Sequence, residues 1–138
     1  MTRLRCARAC LALMCIYRLS IGATAAFVPG TFYEDFPFLA HWVDRLPPFN
    51  EHLVTDVGGL YLGFAVIFGW AAWRPDRALA RAAAAAFLLV ASLHLAFHAA
   101  HLDGFGTRDA IAELGALASL LIPPAVVPWA IREPTRVG

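Results

Sequence analysis

Three histidines, His94, His98 and His101, recur at spacing i, i+4, i+7 in an otherwise apolar stretch. At 100° per residue on a helix, their imidazoles share one narrow stripe. Two other pairs have the same helical spacing: His52 with Asp56, and Asp109 with Glu113. Neutral imidazole with carboxylate is a ligand set for zinc, iron or manganese, and histidines four apart on a helix can hold one ion. In this reading His94 and His98 are the core ligands and Asp56, His52 or Glu113 completes the shell. His101 lies about 10 Å along a straight helix axis from His94. It therefore serves a second ion, an aqueous mouth, or a supporting hydrogen bond behind the ligands. The alternative is a metal-free polar network of the same residues, which fixes helix register or responds to protons, because histidine titrates near neutral pH.

Haem fits less well. His52 and His98 are on separate helices, as two axial ligands require, but there is no Cys-x-x-Cys-His attachment and the pair lies close to the surface. The His-x-x-x-His spacing also occurs in membrane hydroxylases and desaturases, which need several such boxes; this chain has one. Arg18 interrupts the first apolar run at a depth from which neither surface is easily reached, so a partner is expected. Asp56 and Glu113 are the acids deep enough for a structural ion pair. The functional alternative is an anion clamp, since a guanidinium holds carboxylate or phosphate through two parallel hydrogen bonds.

The elements that must position these groups are transmembrane helices. Of the 138 residues, 60% are hydrophobic, and they gather into four runs of the length a bilayer demands. One soluble domain of this size has no room to bury four such runs, and Ala/Leu-rich composition favours helix over strand. The fold class is therefore all-α: a four-transmembrane-helix bundle forming a single integral membrane domain, with spans of about 9–28, 52–73, 78–102 and 109–131. Arg3, Arg5, Arg8, Arg74, Arg77, Arg132 and Arg136 lie in the N-terminal segment, the turn between spans two and three, and the C-terminal tail, and Arg81 is in the first turn of span three. All five histidines, by contrast, sit toward the opposite side with most of the acids. Positive charge marks the cytoplasmic side, so both termini are cytoplasmic and the histidines approach the outer face, in what is expected to be a bacterial inner membrane. The first run reads as a retained helix rather than a cleaved leader, because Arg18 breaks the apolar core a leader would need.

Between the first two spans runs an aromatic outer loop, Pro29 to Asn50, containing Phe32, Tyr33, Phe36, Phe38, Trp42 and Phe49. Such a loop lies along the interface or folds over the helix ends as a lid. Asn50 and Asp76 are placed to cap the second and third helices. Gly59 and Gly63 continue the His52 and Asp56 stripe downward and point to close packing on that face, and Ala116 lies below Glu113 in the same manner. Pro123, Pro124 and Pro128 should kink the last helix. Cys6, Cys10 and Cys15 are on the cytoplasmic half of the first helix and read as inert thiols rather than a disulfide framework. The net charge of +1, with no basic stripe, speaks against nucleic acid. The expected partners are the lipid bilayer and either another membrane protein or a second copy of this chain.

Two segments carry a family resemblance: Arg18-Leu19-Ser20-Ile21-Gly22 and Asp56-Val57-Gly58-Gly59-Leu60-Tyr61-Leu62-Gly63. With four spans and a short Arg-Pro inner turn, the chain resembles the DoxX-like small bacterial four-helix membrane proteins and their uncharacterised relatives. The resemblance implies the fold, and it implies an association with redox enzymes as known for some members of that group. It assigns no catalytic residue, and the histidine stripe is not part of the family's pattern.

Overall fold

The computed structural model describes residues 2–46 and 48–132. They form six helical segments: α1 (Thr2–Phe27), α2 (Pro29–Asp35), α3 (Glu51–Trp73), α4 (Arg77–Ala100), α5 (Thr107–Ser119) and α6 (Ile122–Ala130). Among the described residues there is no strand. α1, α3, α4 and the combined stretch Thr107–Ala130 are each long and apolar enough to cross a membrane.

Local chemistry explains most of the boundaries. Asn50 and Asp76 cap α3 and α4 as their positions predict, their side chains accepting from the amides of Leu53 at 3.0 Å and Leu79 at 2.8 Å. α1 starts at Thr2, before the apolar run, because the arginines that precede it are good helix formers. Pro29 ends α1 but also opens α2, since a proline at the first helical positions loses no bond that the helix would have made. The fourth span is broken rather than bent. Leu120 and Leu121 form tight turns onto Leu117 and Ala118, and the helix restarts with Pro123 and Pro124 in its first turn, where their missing N–H groups cost nothing.

α1 is the spine of the bundle. It packs along α3 over most of its length, and α6 fills the space between α1 and α4. Its buried face is Ala7, Leu11, Met14, Arg18, Ile21 and Ala25, a four-three alternation of the kind that keeps one seam against a neighbour, with Gly22 buried beside it. Below Arg18 the centre is a ring cluster of Phe64, Phe68 and Phe87, with Phe68 and Phe87 edge to face at 5.4 Å. The α1–α3 crossing brings backbones together at Gly22 and Gly58. A Cβ on Gly22 would stand 3.0 Å from the Gly58 carbonyl and 2.9 Å from the Leu62 amide. One on Gly58 would overlap Ala26 and come within 2.8 Å of Ala25.

The glycines expected to make this contact, Gly59 and Gly63, do not make it: nothing lies near the Cβ position of either. One residue of offset turns a helical position by about 100°, and Gly58 rather than Gly59 takes the face toward α1. Ala116 is likewise exposed.

Candidate functional site

The polar side chains gather at the end of the bundle where α2 and the loop after it lie. α4 brings His94 and His98 together, with ring centroids 4.5 Å apart. His98 turns toward α5 and is buried, its Nδ1 2.6 Å from Oε1 of Glu113, which is itself 3% exposed. That distance belongs to a charge-assisted contact. The two groups nevertheless meet off line, since the geometry leaves Nδ1 without an aligned hydrogen bond and leaves Oε2 of Glu113 with no partner. The interaction is electrostatic first and directional second.

The third histidine does not join them. His101 terminates α4, is exposed, and directs Nδ1 to the carbonyl of Phe97 at 2.8 Å while its ring stacks on Phe97 at 4.1 Å. His52 and Asp56 meet each other at 3.3 Å, but both are exposed. The reason is rotational. Gly58 faces α1, and Asp56, two residues earlier, is turned about 200° away. The candidate ligands therefore divide into a buried pair, His98 and Glu113, with the exposed His94 ring beside it, and a separate surface pair, His52 and Asp56. Among the described residues no three His, Cys, Asp or Glu side chains converge in a metal-holding group.

Arg18 is buried, 3% exposed, in the seam between α1 and its neighbours. Neither Asp56 nor Glu113 reaches it, and among the described residues no carboxylate lies within ion-pair distance. Aromatic rings surround the guanidinium instead: its carbon is 4.0 Å from the Tyr61 centroid, 4.4 Å from that of Phe87 and 5.5 Å from that of Tyr17. Its Nε is buried without a hydrogen bond. The ring quadrupoles supply part of what a counter-ion would. His94 is near enough to Arg18 and to His98 to feel both charges.

Arg45 is a residue beside the site that the sequence pattern did not single out. It donates to the His41 carbonyl at 3.1 Å within its own loop, reaches across to the Gly104 carbonyl at 3.4 Å, and pairs with Asp109 at 3.0 Å. Its guanidinium also lies over Phe105, and its charge acts on Glu113. The loop after α2 is thus fastened over the α4–α5 turn. A signal was present: Arg45 is a lone basic residue in a stretch otherwise acidic and aromatic. Within this loop Phe38, Leu39 and His41 adopt left-handed backbone, uncommon for residues with a Cβ, and the His41 ring closes back onto the Glu34 carbonyl at 2.6 Å.

No protein-family model matches the chain, and neither the curated proteins nor the solved structures provide a match.

Proposed function

We propose that this is a multi-pass protein of the bacterial inner membrane, with both termini in the cytoplasm and the α4–α5 turn outside, acting as a non-catalytic, proton-responsive membrane component. The orientation follows from the arginine bias. The responsiveness rests on one observation, the buried contact between His98 and Glu113 at 2.6 Å. Between them the two groups are best matched when they share one proton. Adding a second proton leaves a buried positive charge and removing the first leaves a buried negative one, so folding should be weakened in both directions. Of the other charged or titratable groups, His94 lies beside His98 on the same helix and is acted on by Arg18 of α1, and Arg45 of the fastened loop, itself paired with Asp109, acts on Glu113.

The test is thermal stability against pH in detergent. Wild type should show a maximum that falls on both the acid and the alkaline side. Glu113→Gln removes the negative charge, so its alkaline limb should disappear while the acid limb stays. His98→Gln should do the reverse. If both variants keep both limbs, the pair is not the responsive element.

A second reading, a zinc, iron or manganese centre, rests on the adjacent His94 and His98 rings and on the unpartnered Oε2 of Glu113 beside His98, and it would need these side chains to draw together, since among the described residues no three converge. His52 and Asp56 would take no part in it. Elemental analysis of untagged protein purified without chelator tests this: less than about a tenth of an ion per chain, with no uptake of added zinc, ferrous or manganous ions, eliminates it, since a site of three ligands competes well for metal.

A further inference from the structure

Arg18 occupies a position that the rest of α1 gives to apolar residues. Ala7, Leu11, Met14, Ile21 and Ala25 form the buried seam, and the guanidinium enters it as a permanent charge. Tyr61 from α3 and Phe87 from α4 lie against its carbon at 4.0 and 4.4 Å. Rings packed so closely hold the group in place but accept none of its N–H bonds in the ordinary way. Nε is buried with no hydrogen bond. A cation held in position without an acceptor is costly to bury unless something else supplies one.

The place for that something is indicated by α4. Its inward stripe runs Ala80, Ala84, Phe87, Ala91, His94 and His98 at alternating four-three spacing, and every member is buried except His94. Phe87 beneath is covered by the arginine and the ring cluster, and His98 above is covered by Glu113. His94 is the one exposed member of the stripe, and α3 and α4 pack only lightly on each other. His94 stands two turns above Phe87, the ring that Arg18 covers, on the same stripe, and Arg18 is among the charges that act on it. The negative charge nearest this level, Glu113, is already opposed by His98 and Arg45.

We propose that Arg18 and His94 form a binding site for an oxyanion, a carboxylate or phosphate group received from the exposed His94 side of α4. The guanidinium contributes its forked N–H donors, which match two oxygens of one group, and the imidazole contributes a further N–H. The oxyanion has two possible sources, a free small anion or the charged end of an amphiphile entering sideways from the bilayer. This inference goes beyond the proton-responsive reading and does not depend on it.

The experiment is equilibrium binding to protein in dodecyl maltoside at constant ionic strength, with inorganic phosphate, acetate and decanoate as probes. At least one should bind saturably, at about one per chain. Phosphate or acetate binding identifies a site open to free anions, and decanoate binding alone identifies an amphiphile. Arg18→Met should weaken the interaction by about tenfold or more, as loss of a charge-assisted pair of bonds requires. Arg18→Lys, which keeps the charge and loses the fork, should fall between, and His94→Gln should weaken it severalfold. His52→Gln, on the far side of α3, should change nothing. Should Arg18→Met fail to fold, His94→Gln carries the test. Absence of saturable binding of all three probes by folded wild type, or unchanged affinity in Arg18→Met or His94→Gln, overturns the proposal.

Discussion

His98, Glu113 and Arg18 are buried side chains that carry or can carry charge, and they are satisfied in different ways. His98 and Glu113 have each other at 2.6 Å, so truncating either strands its partner in a place where solvation is poor. Glu113→Leu or His98→Leu alone should cost about 3 to 5 kcal/mol, the usual loss when one member of a buried pair is removed. The double variant should cost less than either single change, because no orphan charge remains. A thermal-melt double-mutant cycle measures this, and simple additivity would show that the two residues do not act as a pair. Arg18 is the opposite case, since no carboxylate is left behind when it goes. Arg18→Met should cost no more than the ring contacts, about 0.5 to 2 kcal/mol, because it also relieves the burial of an unpaired charge. A much larger loss, rescued by Asp56→Asn or Glu113→Gln, would instead restore the ion pair that depth alone suggests.

At the scale of elements, the α1–α3 crossing decides which polar residues can meet. Gly22 and Gly58 let the two backbones touch, and this contact fixes the rotation of α3 about its axis. Tyr61, three residues after Gly58, is thereby held on the face toward Arg18, and His52 and Asp56 are carried outward. Gly58→Val should disrupt folding by more than the about 1 to 3 kcal/mol typical of overpacking, since the new Cβ would collide with backbone rather than with a side chain that can move. Gly59→Val should be tolerated in the isolated chain, because its side is open. Folded yield by size-exclusion chromatography separates the two, and equal yields would mean that α3 is rotated differently. The loop after α2 is a second such device: through Arg45 it joins Gly104 and Asp109, placing a cover over the turn that follows the histidine helix.

For the whole molecule, the proposed sidedness is testable without reference to any ligand. Cysteines introduced at Asp44 and Asp103, on a background otherwise free of cysteine, should react with an impermeant maleimide on intact cells, whereas native Cys6 kept alone should react only after lysis. The argument is the distribution of arginines around four apolar helices. The reverse pattern would place the buried pair and the arginine site toward the cytoplasm, leaving their geometry intact.

Composition and periodicity were enough to read the four long apolar helices, the two caps at Asn50 and Asp76, and the disruption by prolines in the last span, because each depends on residues near one another in sequence. Local pattern also singled out His94, His98, Glu113 and Arg18 as polar groups in expensive positions. It could not decide how they combine, because that depends on the rotation of each helix about its own axis. A one-residue difference, Gly58 in place of Gly59, turns the contact face by about 100°. Tertiary packing therefore paired His98 with Glu113, left His52 and Asp56 on the surface, and turned His101 back to its own helix. The same packing gave Arg18 aromatic rings where a carboxylate was expected, and the partnership of Arg45 with Asp109 spans a separation in sequence that no local pattern encodes.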